Sequence, residues 1–146
     1  MIVGYTSGVY DLFHIGHLNL LKNAKSMCDK LVVGVTTDDL SVYKGKKPFI
    51  PFEDRIEIIR SIKYVDAVVP QETMDKATMC KKLKASILFV GDDWYDTAKW
   101  NDIEKELAIS GVKVIYFPYT KGISSTKITN ALMQVRGWSI DEFNNS

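Results

Sequence analysis

The sequence predicts an α/β fold: a single doubly wound domain with a five-stranded parallel sheet. Three observations predict it. Short apolar, β-branched runs alternate with amphipathic stretches along the 146-residue chain. Strands separated by helical crossovers pair in parallel and are covered on both faces. The composition, 46% hydrophobic and 25% charged, is that of a globular protein, and the length suits one domain whose core needs no disulfide or metal staple.

The elements follow in order. Ile2 to Thr6 reads as a buried strand, and Gly16 to Met27 as a helix with Leu20, Leu21, Ala24 and Met27 at helical spacing and Cys28 continuing the pattern. Leu31 to Thr36 is a Val-rich strand. Glu53 to Ile62 is a helix with Ile56, Ile59 and Ile62 facing inward, and Val65 to Val69 is a short strand closed by Pro70. A polar helix from about Asp75 to Leu83 precedes a fourth strand, Ser86 to Val90. A helix from Trp100 to Ser110 ends at Gly111, Val112 to Phe117 is the fifth strand, and Ser124 to Met133 is the last helix. The domain is expected over residues 1–136, with a C-terminal tail over 137–146.

Bulk properties exclude some functions. Lys plus Arg is 19 and Asp plus Glu is 18, a net charge of +1, so the basic excess of a nucleic-acid binder is missing. Cys28 and Cys80 are too few and too distant for a metal site or a disulfide framework, and read as structural thiols in a reducing compartment. Met1 to Tyr5 carries no basic leader or cleavage site, and no apolar run approaches the length of a membrane span. A cytoplasmic protein with no membrane partner is expected.

The chemistry-bearing residues fall at the carboxyl ends of the predicted strands, where ligands bind in such sheets. The first strand leads into Ser7-Gly8-Val9-Tyr10-Asp11-Leu12-Phe13-His14-Ile15-Gly16-His17. Gly8 permits a tight exit, and Gly16 permits close approach at the helix start. His14 and His17, the only two histidines of the chain, stand where free N–H groups and the helix dipole favour an anion. Zinc is the competing ligand for this pair, with Asp11 as a further donor.

After the second strand, Lys44-Gly45-Lys46-Lys47-Pro48 and then Arg55 supply a local positive field suited to a polyphosphate. The fourth strand ends in Gly91-Asp92-Asp93-Trp94, whose carboxylates suit ribose hydroxyls, a base amino group or a metal ion. The fifth leads into Tyr119-Thr120-Lys121-Gly122-Ile123-Ser124-Ser125-Thr126-Lys127. Ser124 is a natural N-cap, leaving Ser125 and Thr126 to meet a phosphate at the helix start. Together these loops present donors suited to a nucleoside triphosphate.

These residues resemble the cytidylyltransferases, most closely the bacterial glycerol-3-phosphate enzymes. The H-x-G-H signature is His14-Ile15-Gly16-His17, preceded by Gly8 to Phe13. Lys44 to Lys46, Arg55, Tyr64-Val65-Asp66, Gly91 to Trp94 and Gly122 to Ile128 match as well, over roughly residues 2 to 133. H-x-G-H alone marks a wider nucleotidyltransferase superfamily; the G-D-D-W and G-I-S-S-T-K pieces point to cytidine.

The resemblance implies a Rossmann-like domain that transfers CMP from CTP to a phosphorylated small molecule and releases pyrophosphate. His14, His17, Lys44 and Lys46 would be catalytic. Ser7, Gly8, Val9, Tyr10, Asp11, Gly16, Gly91, Asp93, Trp94, Thr120, Ile123, Ser124, Ser125 and Thr126 would bind the nucleotide, and Arg55, Lys63, Asp66, Tyr119 and Lys121 the acceptor. Mg²⁺ would accompany CTP, and the protein would be a homodimer working in cell-surface polymer biosynthesis.

The sequence departs from the family's usual pattern at Tyr119 and Lys63, both commonly Arg, and at Met74, where relatives place an aromatic. Tyrosine has no guanidinium fork, and Lys121 is the nearest cation to replace it. These departures bear on the second substrate rather than the nucleotide. Competing expectations are an ATP-using adenylyltransferase, a non-catalytic CTP-binding regulatory module, and a metal-binding protein using the two histidines.

Overall fold

The computed structural model describes residues 1–43, 47–91 and 97–118. Five strands, β1 (Val3–Gly8), β2 (Lys30–Thr36), β3 (Ala67–Gln71), β4 (Ile87–Gly91) and β5 (Lys113–Phe117), form one sheet in the order β3-β2-β1-β4-β5. Every pairing is parallel. The helices are α1 (Ile15–Ser26), α2 (Asp38–Tyr43), α3 (Phe52–Arg60), α4 (Lys76–Leu83) and α5 (Ala98–Ile109). This is the doubly wound α/β architecture expected from the alternation of apolar runs.

Two cores lie on the two faces of the sheet. Leu31, Val33, Val35 and Phe89 pack with Leu21 and Ala24 of α1 and Ile59 of α3. Tyr5, Val32, Leu88 and Val90 pack with Ala77 and Cys80 of α4 and Trp100 and Leu107 of α5. The alternation of Leu31-Val32-Val33 between the two clusters is the period of two that a strand imposes.

On the α4/α5 face, the buried Tyr5 hydroxyl donates to Gln71 Oε1 across β2. It passes over Gly34, where a Cβ would lie 2.9 Å from Tyr5 Cζ and closer still to its hydroxyl. Gly34 is therefore a gap that the Tyr5–Gln71 pair fills.

Helix ends follow local chemistry. Asp75 caps α4 by accepting from Thr78 N at 3.1 Å, and Thr97 caps α5 by accepting from Trp100 N at 3.3 Å. Gly111, at φ +78, closes α5 with Gly111 N–H on Ala108 O and Val112 N–H on Leu107 O, the paired bonds of a Schellman end.

Two expectations are corrected. The third strand does not stop at Pro70: it runs to Gln71, with Val35 opposite Pro70. Because β3 is an edge strand, the N–H that proline lacks is not needed by a neighbour. The stretch after β2, read as loop, contains α2, only six residues long. It is too short to show helical periodicity, although Thr37 Oγ1 accepting from Leu40 N, with Asp38 and Asp39 in the first turn, is a legible start signal. The helix expected over 124–133 and the tail over 137–146 lie outside the described residues. Among the described residues no helix is long and apolar enough to cross a membrane.

Candidate functional site

The chain winds outward from β1 to β2 and β3, then crosses to β4 and β5. The order reverses between β1 and β4, the switch point above whose carboxyl ends doubly wound sheets form a ligand crevice. Ser7 and Gly8, opposite Gly34 and Val35 of β2, end β1 at that crevice, and Gly91 ends β4 there.

The β1–α1 loop is wound tightly. A Cβ on Gly8 would meet the Tyr10 ring at 3.1 Å. Tyr10 (φ 56) and Leu12 (φ 51) are both left-handed, a conformation that costs a side-chain-bearing residue of order 1 kcal/mol. Tyr10 is buried, and burial pushes its phenol above the ordinary range.

That loop delivers His14 as the N-cap of α1 and His17 as its third residue. Each imidazole has a backbone task. His14 Nδ1 accepts from Gly16 N at 3.0 Å, and His17 Nδ1 accepts from His14 N at 3.3 Å. The two histidines thus make a reciprocal capping box. An Nδ1 that accepts is unprotonated, so the neutral ring carries its proton on Nε2. The rings stack with centroids 3.9 Å apart, and His17 also stacks on Phe13 and meets the edge of Tyr10, both at 5.4 Å. Two Nε2–H donors on stacked rings at a helix start can serve two oxygens of one phosphate.

Burial, reinforced by the neighbouring His14, pushes His17 down to about 4, and burial lowers His14 too. Below the ordinary value of 6.5 the unfolded chain takes up a proton that folded His17 refuses until about pH 4. This contribution to stability is complete above 6.5 and is lost as the pH falls toward 4. A ¹⁵N titration is expected to keep the free protein's His17 neutral at pH 5, with a lower urea midpoint at pH 5 than at pH 7. A His17 midpoint near 6.5 would refute the packing argument.

Asp11, within this loop, and Arg55, beside it, have unforeseen roles. The Asp11 carboxylate accepts from Phe49 N at 2.9 Å and Ile50 N at 3.0 Å. Arg55 is fully buried. Its Nε donates to Ile50 O (2.9 Å), its Nη1 to Val9 O (2.6 Å) and Thr36 O (2.8 Å), and its Nη2 to Asp38 Oδ1 (2.6 Å). Arg55 had been expected to face an acceptor phosphate; it is spent on protein oxygens instead. Asp38, which the sequence reading missed, also accepts from Phe52 N at 3.2 Å with Oδ2. It thereby serves the first turn of α3, whose N-cap Pro51 makes no side-chain cap bond.

Lys63 and Asp66, also expected at the acceptor, sit elsewhere within the chain. Asp66 accepts from Lys25 Nζ at 2.6 Å and from Leu31 N, at the start of β2, at 2.8 Å. Both bonds hold its carboxyl below the usual range. Lys63 is exposed, with its Nζ 5.2 Å from the Tyr64 ring centroid. Both precede β3, on the amino edge of a sheet whose β2 has seven residues, about 20 Å from the histidines at ~3.3 Å per residue.

Lys44, Lys46, Asp93, Trp94, Tyr119, Thr120, Lys121, Ile123, Ser124, Ser125 and Thr126 lie outside the described residues. Among the described residues no three His, Cys, Asp or Glu side chains group as a metal set.

Against this geometry stand likenesses to known proteins. The sequence matches the family described as Cytidylyltransferase-like over residues 5–131. It is 36% identical over 128 residues to a glycerol-3-phosphate cytidylyltransferase of Staphylococcus aureus, covering 87% of this chain and 92% of that one. It is 37% identical over 115 residues to an FAD synthase of Pyrococcus abyssi, 77% of each chain. The fold superposes on a lipopolysaccharide core biosynthesis protein from Thermoplasma volcanium with a TM-score of 0.69 at 27% identity, covering 84% of this chain and 99% of that one.

Proposed function

The chain belongs to the cytidylyltransferase-like family, and from that premise we propose that it transfers CMP from CTP to a phosphorylated small molecule, with glycerol 3-phosphate or a related phospho-alcohol as acceptor. The observation that carries this reading is the pair of stacked imidazoles at the start of α1, each with Nδ1 taken by a backbone N–H. Both rings then offer Nε2–H as a neutral donor at neutral pH. Identity of 36% to a glycerol-3-phosphate cytidylyltransferase over most of both chains supports the nucleotide and the acceptor class.

In the proposed reaction an acceptor phosphate oxygen, ionised at neutral pH, attacks the α-phosphorus of CTP. A new P–O bond forms as the bond to the β-phosphate bridging oxygen breaks, and pyrophosphate leaves with its electron pair. No general base is required. His14 and His17 donate to the α-phosphate oxygens as charge moves through the transition state, aided by the N–H groups of α1. Lys44 and Lys46 would hold phosphates, Asp93 and Trp94 the cytidine, and Ser125 and Thr126 a phosphate at the last helix. Mg²⁺ would enter on the triphosphate, which it neutralises; no three acidic or histidine side chains group for it among the described residues. The resemblance also supports a homodimer.

A second reading, adenylyl transfer from ATP, is favoured by the FAD synthase likeness, since FAD carries an adenylyl group. One assay separates them: pyrophosphate release with CTP or ATP, Mg²⁺ and a panel of phosphorylated acceptors. Release with CTP and glycerol 3-phosphate is expected. Release with ATP alone would replace the first reading by the second, and tight CTP binding with no release for any acceptor would favour a binding module.

A further inference from the structure

We propose that Arg55 and Asp11 are positioning residues: two clamps that lock the β1–α1 loop onto the 49–55 segment and act on the reaction through His17, without touching substrate. The contacts close a ring. Asp11 holds Ile50 N; Ile50 O receives Arg55 Nε; Arg55 Nη1 holds Val9 O, two residues before Asp11. Inside the ring lies Tyr10, left-handed at φ 56, and just beyond it Leu12 at φ 51. Such conformations persist only where the surroundings over-determine them. Tyr10 in turn sets its ring against His17 at 5.4 Å, with 74° between the planes. A change at the clamp therefore reaches the imidazole by direct contact.

The guanidinium has four of its donor bonds on protein acceptors. A side chain with five N–H groups so engaged has no fork left for a phosphate. Nη1 alone joins Val9 O to Thr36 O, tying the loop to the end of β2. A lysine at this place keeps the charge but cannot span those acceptors.

The kinetic arm of the test rests on the proposed cytidylyl transfer; the spectroscopic arm does not. In Arg55→Lys and Asp11→Asn, kcat is expected to fall about 10- to 100-fold, the usual effect of displacing a catalytic group by an ångström. KM for the acceptor should change less than about twofold, because no substrate contact is lost. In the free proteins the ¹⁵N-detected midpoint of His17 should rise from its depressed value toward 6.5 as the ring is released to water. His14 and Tyr10 are the titratable groups in ring contact with it, and both are retained in these variants.

A raised acceptor KM with kcat kept would make Arg55 a substrate ligand and overturn the proposal. So would an unshifted His17 in both variants. Should Arg55→Lys not fold, the near-isosteric Asp11→Asn decides by the same readings. Should the wild type release no pyrophosphate with any acceptor, the functional reading fails and the His17 midpoint still decides the clamp.

Discussion

His17→Ala is expected to lower kcat about 10²- to 10³-fold in a protein that remains folded, the usual cost of removing one preorganised donor at a developing charge. The imidazole sits in the first turn of α1 and is half-buried, resting on Tyr10 and Phe13 at the margin of the core that α1 and α3 cover. Its loss leaves His14 N–H without the Nδ1 partner, a defect like a lost helix cap and worth about 1 kcal/mol. Stability and rate are thus separable here. If the bond to the α-phosphate oxygens strengthens in the transition state, kcat and kcat/KM fall together. Steady-state kinetics with a thermal melt on the same sample checks both. A folded His17→Ala enzyme with near-normal turnover would remove the imidazole from the mechanism.

Gly34→Ala is expected to have the largest effect on stability, about 3 kcal/mol. The added Cβ would lie within 3.0 Å of Tyr5 Cζ and Gln71 Oε1, and nearer still to the Tyr5 hydroxyl. Tyr5 is completely buried and cannot swing into solvent. Overpacking costs about 1–3 kcal/mol, and an orphaned buried hydroxyl about 1–3 more. Denaturant unfolding measures the sum. A double-mutant cycle with Tyr5→Phe checks the cause, since removing the hydroxyl relieves the closest contact and the two costs should then fall short of additive. Full additivity would place the strain elsewhere.

Much of the fold is legible in the residues, because burial writes itself as periodicity. Leu31-Val32-Val33 reads as a strand buried on both faces, and so it is, since neighbouring side chains must feed opposite cores. Gly111 reads as a helix stop and closes α5 with positive φ. Pro70 misled because a sequence does not say which strand lies at an edge, and only at an edge can proline stay in the ladder. α2 escaped because six residues make less than two turns.

The candidate site was legible in part. His14, Gly16 and His17 announce a helix start beside a glycine-bearing loop, and α1 begins at Ile15 with His14 as its cap. The charged residues were harder to read, because a charge names no partner. Arg55 reads as a free cation for a phosphate, but α3 turns it inward to four protein oxygens. Asp66 reads as part of a motif at a ligand, but it pins the start of β2 to Lys25.

What the sequence by itself determined is the α/β alternation, the sheet's buried strands and the place of the histidine pair. These follow from short-range rules: periodicity, capping and the free N–H groups of a helix start. Only the tertiary structure decided which ring nitrogens remain for a ligand, that Arg55 and Asp11 clamp a left-handed loop, and that Lys63 and Asp66 stand at the opposite edge of the sheet. Those outcomes depend on contacts between residues as far apart as Val9 and Arg55, whose partners are set by packing and not by neighbours in the chain.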